Sequence, residues 1–147
     1  MAEVTSGLPI QMVATTAQSD FNYGYTLVKG SGNTVQVSTT VNDTILGVLD
    51  QSVVDEEQAL RATRADESVG VWPLGCGRPV TMRSKASQTW TLGAAVYNNQ
   101  TADTAGQVAT SSSNSARKVG HYFGAGETTS SSDGDEIKVL LDVGIGE

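Results

Sequence analysis

Short runs of alternating apolar and polar residues, separated by turn signals, extend along most of the chain. Such runs are "GYTLVKG", "TVQVST", "TILGVL", "SVGVWPL", "TWTLGAAVY" and "RKVGHYFG". The clearest one closes the sequence, where Ile137, Val139, Leu141 and Val143 fall on one face of a strand that follows the hairpin-type turn Asp133-Gly134. This spacing is typical of strands, and it predicts an all-β domain.

Four landmarks occur in the same order in the two halves of the sequence. They pair Gly24 with Gly93, Val35 with Val108, Gly47 with Gly120, and the strand at Val69 and Val71 with that at Ile137 and Val139. The landmarks predict pseudo-repeats over about 24–82 and 93–145, two β-halves that close around one core as a small barrel or sandwich. We expect the four glycines to be structural, and those within strands to allow a bulge or a close backbone approach.

The first 20 residues are small and polar apart from one apolar cluster. The sequence therefore predicts an extended arm over 1–20 and a single β domain over 21–147. The arm is either a frayed terminus or a strand that docks on a partner, in which case the cluster is the contact surface. Its residues are Leu8, Pro9, Ile10, Met12 and Val13.

A polar stretch around 53–66 is the one segment with helical composition. Acidic residues come early in "VDEEQALRATRADE", and Ala, Leu and Arg come later, as a helix dipole prefers. We expect at most one short helix here, or a polar loop.

Charge and composition exclude several classes of protein. The net charge is −7, and the nine Lys and Arg residues are scattered rather than clustered, which argues against a nucleic-acid partner. No apolar stretch is long enough to span a membrane, and no signal peptide is evident. A single cysteine allows no internal disulfide. We expect a protein made and used in the cytoplasm, or packed into something assembled there.

Candidate catalytic and metal-binding groups are few. Cys76 and His121 could form a nucleophile pair, but Cys76 also suits a tight bend, and His121 aligns with Val48 of the other half. Asp133, Asp135 and Glu136 could bind Ca²⁺, although a hairpin turn accounts for them equally well. We expect no enzymatic activity, no metal and no cofactor.

The two tryptophans raise the possibility of a binding module. Trp72 or Trp90 could stack on a sugar, whereas core or interface packing is the commoner use of a large aromatic side chain. A carbohydrate-binding or adhesin-like β-module is the alternative to a structural protein, and it requires a solvent-facing tryptophan.

The order of these motifs resembles the head-decoration, or capsid cement, proteins of tailed viruses. The motifs are a polar arm, "GYTLV", "ILGVL" and "VGVWPLGCGRPV", and a second half with "LGAAVY", "GQVA", "KVGHYFG" and "DEIKVLL". The resemblance covers about residues 2–145 and consists of glycines and valines that recur at similar spacings.

The resemblance implies a β-tulip-like domain without enzymatic activity. Such proteins bind the outside of the expanded icosahedral head, bridge major capsid subunits against internal pressure, and often form trimers. Their N-terminal arm commonly contacts the capsid. This chain departs from the pattern in its longer polar insert at 53–66.

Overall fold

The computed structural model describes residues 9–13, 25–50, 68–100 and 105–142; 51% of these residues are in strands and 3% are helical. The strands are β1 Ile10–Val13, β2 Leu27–Ser31, β3 Thr34–Val37, β4 Ile45–Leu49, β5 Ser68–Pro73, β6 Pro79–Ser84, β7 Gln88–Trp90, β8 Ala95–Tyr97, β9 Lys118–Tyr122, β10 Thr128–Ser130 and β11 Asp135–Leu141. A 3₁₀ turn covers Ser113–Ser115. The prediction of an all-β domain is confirmed. The stretch at 53–66 lies outside the described residues.

Two sheets with the same strand order form the body of the molecule. The first has the order β1-β5-β4-β2-β3, and the second has the order β6-β11-β9-β8. Val108 and Ala109 add a fifth member to the second sheet, because Ala109 pairs with Tyr97 of β8. Strands β7 and β10 pair separately as a two-stranded ribbon. The two halves therefore repeat one five-membered arrangement.

The repetition extends to an irregularity in the strand register. In the first sheet Val28 lies opposite Gly47, and the pairing then shifts by a bulge. In the second sheet Val96 lies opposite Gly120, and the same shift follows. A bulge increases the local twist of the strand that carries it. Equivalent bulges thus bend the two sheets at the same place.

The second sheet closes on itself through Val108. The Val108 amide donates to the carbonyl of Arg83 (3.1 Å), and its carbonyl accepts from the Lys85 amide (2.9 Å), which joins the fifth member to β6. In the first sheet, Cα atoms of the two edge strands β1 and β3 come within 8 Å. Each sheet is therefore strongly curled, with its edge strands side by side.

Two apolar clusters fill the molecule, and β2 contributes to both. Val28 belongs to the smaller cluster, inside the first sheet, whereas Leu27 belongs to the larger one, inside the second sheet. Ile45 and Val48 of β4 also belong to the larger cluster. The outer face of the first sheet therefore covers the interior of the second, and the larger cluster contains residues of both halves.

The structure corrects the predicted boundaries of the repeats. The predicted first repeat includes residues 79–82, but β6 pairs with β11 in the second sheet. Conversely, the predicted arm includes the residues of β1, but β1 pairs with β5 in the first sheet. The repeated units are therefore β1–β5 and β6–β11. Main-chain pairing decides which strands belong to one sheet, and the spacing of apolar residues does not reveal that pairing.

The proposed match of Gly24 with Gly93 is also wrong by one position. Tyr25 donates its amide to the Leu49 carbonyl (2.7 Å), as Gly93 does to the Tyr122 carbonyl (2.9 Å). Both have a positive φ, 65° at Tyr25 and 85° at Gly93. Tyr25 is therefore the structural counterpart of Gly93, and it adopts a conformation that non-glycine residues rarely take. Gly24 lies outside the described residues.

Glycine is required at 47 and 120 because the neighbouring strand passes directly over the Cα atom. A Cβ atom added at Gly47 would overlap the Trp72 carbonyl oxygen and lie 2.9 Å from its carbon. One added at Gly120 would overlap the Leu140 carbonyl oxygen and lie 3.1 Å from its carbon. Backbone atoms in a sheet cannot turn away as a side chain can, so both sites exclude any larger residue.

We predict that Gly47→Ala and Gly120→Ala each lower the free energy of unfolding by about 3 kcal/mol or more, because the added methyl group forces two strands apart. Gly30→Ala is the matched control, since its Cβ would meet only the Leu46 side chain, at 3.5 Å. Urea denaturation followed by tryptophan fluorescence measures all three. Equal stabilities of the Gly47 and Gly30 variants would contradict the close approach.

Candidate functional site

The predicted contact residues of the arm lie on or beside β1, and the structure separates them. Met12 is half-buried and packs against the smaller cluster, and Pro9 lies against Gly70 of β5. Ile10 and Val13 remain 50% and 39% exposed. Leu8 lies outside the described residues. The structure thus leaves two of these apolar side chains, Ile10 and Val13, available for a partner.

A second pair of exposed apolar side chains, missed in the sequence, lies at one end of the second sheet. Leu92 is 66% exposed and Phe123 is 50% exposed. The chain segments that carry them are held together by the bond from the Gly93 amide to the Tyr122 carbonyl. The counterpart of Phe123 in the first half is Asp50, since their amides donate to the equivalent carbonyls of Lys138 and Gly70. The repeated fold therefore does not require an apolar residue at 123.

Cys76 and His121 have separate environments. Cys76 is 5% exposed within the larger cluster, and its thiol donates to the Arg78 carbonyl at 3.5 Å. His121 is partly exposed on β9, with its Nδ1 atom 3.3 Å from Asp142 Oδ1. A buried thiol and a surface imidazole engaged with different partners do not form a nucleophile–base pair as they stand.

The acidic residues near 133 serve as hydrogen-bond acceptors in a turn. Asp133 accepts from the Ala86 amide (2.7 Å), and Asp135 accepts from the amides of Ser131 (2.8 Å) and Ser132 (3.1 Å). The bonds from Ser132 and Ser131 hold the pKa of Asp135 below its usual value. Among the residues that the structure describes, no group of three His, Cys, Asp or Glu side chains could hold a metal ion.

Trp90 is a core residue rather than a binding platform. Its ring is fully buried and stacks on Tyr122 with 6.1 Å between centroids. The indole nitrogen donates to Ser84 Oγ at 3.1 Å. Trp72 is partly buried against the larger cluster, and the Arg78 guanidinium lies 5.4 Å from its ring centroid. Trp90 therefore fails the requirement of a solvent-facing tryptophan, and the cation already occupies one face of Trp72.

The densest polar site is centred on Asp43, and the sequence analysis did not identify it. Asp43 Oδ2 accepts from the amides of Thr39 and Thr40, both at 3.0 Å. Ser38 donates its hydroxyl at 2.9 Å, and the Lys29 ammonium lies 3.1 Å away. Desolvation raises the pKa of Asp43, but the bonds from Thr40, Thr39 and Lys29 outweigh it and lower the pKa to about 2. The carboxylate is thus fully engaged and unsuited to act as a base.

This polar site joins the two halves. Asn98, which follows β8, donates from Nδ2 to the Thr40 carbonyl at 3.0 Å. Gln100 donates to Ser38 Oγ at 2.9 Å and accepts from the Gly106 amide at 2.9 Å. Asn98 and Gln100 are buried. Buried amides with good partners rigidify a structure, so this network fixes the first half against the second.

Two shallow depressions flank β11 on the surface of the second half. One, of about 310 Å³, is lined by Thr128–Ser130 and Asp135–Ile137. The other, of about 290 Å³, shares Thr128, Glu136 and Ile137 with the first and has Tyr122, Gly124 and Lys138 in its wall. Both depressions are open, and neither contains Cys76 or His121.

Comparison with protein-family models, with curated proteins and with solved structures found no match to this chain. Within the described segments, no helix is long and apolar enough to cross a membrane.

We predict that Asp43→Asn destabilises the protein by about 2 kcal/mol at pH 7. The substitution replaces a charged carboxylate, which accepts several hydrogen bonds, by a neutral amide group with one oxygen fewer. The folded pKa of about 2 lies below the ~3.9 of an unfolded aspartate. The stabilisation by the ionised carboxylate is therefore complete above pH ~4 and is lost as the pH falls toward 2.

Urea denaturation at several pH values measures this effect. The stability difference between the parent protein and Asp43→Asn should narrow steadily below pH ~4. Glu127→Gln, at an exposed position, is the control and should leave stability unchanged at every pH. A constant difference between the parent and Asp43→Asn from pH 7 to pH 2 would show that Asp43 is not held ionised by the fold.

Proposed function

We propose that this protein is a structural virion component that binds the outer surface of the icosahedral head of a tailed virus and cements its major capsid subunits against internal pressure. It is made in the host cytoplasm and acts on the assembled shell. The proposal includes no enzymatic activity and no cofactor. The partners are the major capsid protein and further copies of this chain, arranged as a trimer.

The observation that carries the proposal is the exposure of apolar side chains on a sheet edge. Ile10 and Val13 project from β1, the first strand of the five-stranded sheet. Exposed apolar side chains on an extended segment are the groups that a partner can bury, and side-chain pockets of this kind give specificity in the recognition of extended segments. The motif order given above supports the same interpretation.

The distribution of polar groups supports a structural role as well. The most connected polar side chains, those around Asp43, bind other parts of this chain and link its two halves. A rigid domain transmits force between the subunits that it bridges. Weak contacts repeated over a lattice become effectively permanent through multivalency, and the net charge of −7 favours solubility before assembly.

We predict that the protein sediments with expanded shells of its virus and that Ile10→Ser combined with Val13→Ser raises the dissociation constant at least about tenfold. The reason is that two apolar side chains lose burial at the contact, and a tenfold change corresponds to only about 1.4 kcal/mol. Both side chains are exposed, so the substitutions leave the core intact.

Leu92→Ser combined with Phe123→Ser is the matched control, because it removes the same kind of exposed surface from the second half. This variant should bind as the parent protein does. Loss of binding in the Leu92/Phe123 variant alone would place the contact on the second half and refute the role of β1. Failure of the parent protein to sediment with either expanded or unexpanded shells would refute the cement function.

A further inference from the structure

Strands β1 and β6 occupy the same place in the two sheets. Met12 of β1 lies opposite Val69 of β5, and Met82 of β6 lies opposite Ile137 of β11. The two strands differ in their connections. Five residues, 74–78, join β5 to β6, and three residues, 85–87, join β6 to β7, whereas eleven residues, 14–24, separate β1 from Tyr25. The connection from β1 to Tyr25 is therefore longer in sequence than either connection of β6.

Strand β1 also contributes less to the core than β6 does. Of its four residues only Met12 packs against an apolar cluster, and it is half-buried there. Strand β6 buries Val80, Met82 and Ser84 completely or nearly so. The side chains of β1 therefore bury less apolar surface in the core than those of β6 do.

The edge of β5 selects its occupant closely. Val69 and Val71, which lie opposite Met12 and Ile10, are buried in the smaller cluster at 0% and 1% exposure. Gly70 provides the space in which Pro9 packs, since a Cβ atom at Gly70 would lie 3.4 Å from the Pro9 Cβ. A strand that replaces β1 must therefore place an apolar residue opposite Val69, as Met12 is, and a compact residue against Gly70, as Pro9 is. The same segment of another copy of this chain meets both conditions.

The chain is long enough for such an exchange. Eleven extended residues span at most roughly 36–40 Å. A compact chain of this length has a radius of gyration of roughly 15 Å. Eleven residues are therefore enough chain to join adjacent domains of this size.

We propose that β1 is an exchangeable strand: β1 of one copy pairs with β5 of a neighbouring copy in the register seen within the single chain, and so links copies to one another. The exchange uses only contacts that already exist, which makes it a low-cost route to a symmetric assembly. The strand exchange goes beyond the cement function. It can be tested on the purified protein without any shell, so an experiment can refute the exchange without refuting the cement function, and the reverse.

Disulfide trapping between two single variants tests the exchange. Met12→Cys and Val69→Cys are prepared separately, each with Cys76→Ser and each with a tag of different mass. Residues directly opposite in an antiparallel pair have Cα atoms within disulfide range. After the two proteins are mixed at high concentration and oxidised, a covalent heterodimer can form at this register only if β1 of one copy lies on β5 of the other. We expect that heterodimer.

The equivalent pair of the second half is the matched control. Met82→Cys mixed with Ile137→Cys has the same register, but β6 is held by short connections on both sides, so no heterodimer should form. The double variant Met12→Cys/Val69→Cys at high dilution should close the bond within one chain, which verifies the register. An intrachain bond in the double variant without a heterodimer in the first mixture would overturn the proposal, and so would equal heterodimer yields in the two mixtures.

A peptide provides a second measurement that does not depend on the folding of the Met12 variant. A synthetic peptide of residues 6–16 carrying Met12→Cys is oxidised with the full-length Val69→Cys, Cys76→Ser protein. Because β1 must leave β5 for the peptide to enter, we expect a covalent adduct. The Gly70 carbonyl accepts from Asp50 of the β4 side, so the residues of β5 that bond to β1 are Val69 and Val71, opposite Met12 and Ile10. A peptide with Ile10→Pro, which cannot donate to Val71, should therefore give less adduct. Absence of any adduct at high peptide excess, together with no heterodimer, would show that β1 stays on its own chain.

Discussion

The close approach of main chain to main chain at two glycines is the constraint on which the rest of the molecule depends. At Gly47 and at Gly120 the carbonyl group of the adjacent strand occupies the space that a Cβ atom would need. Each glycine lies beside a bulge in the same pairing. The combination bends the sheet sharply enough for its edge strands to meet. Curling then buries both faces of β2, so that Leu27 and Val28 enter different clusters.

The two curled sheets must also be held in one orientation relative to each other, and polar groups provide this. The apolar contact between the halves is non-directional and does not by itself define one orientation. The buried amides of Asn98 and Gln100 reach across to Ser38 and Thr40, whose segment is organised by Asp43. Hydrogen bonds are directional, and an unpaired buried amide is costly. The network therefore selects one arrangement of the halves.

Polar and apolar side chains of the described residues have different surroundings. Several carboxylates and serines and the Trp90 indole are engaged in turns and in links between strands. The exposed large apolar side chains lie at the margins of the two sheets, Ile10 and Val13 on one and Leu92 and Phe123 on the other. Under the proposed cement function, Ile10 and Val13 are the side chains that contact the shell.

The sequence by itself determined the fold class and the duplication. Alternation with period two and frequent turn residues specify strands locally, and the apolar-glycine pairs at 47 and 120 occur in both halves because both halves need the same bend. It could not determine that β6 belongs with β11, that β1 completes the first sheet, or that Tyr25 rather than Gly24 matches Gly93. Those facts depend on pairing between strands far apart in the chain, and the composition of a strand does not specify which other strand it pairs with. For the same reason only the tertiary structure placed Trp90 in the core, brought Asn98 and Gln100 to Asp43's loop, and left Ile10 and Phe123 exposed.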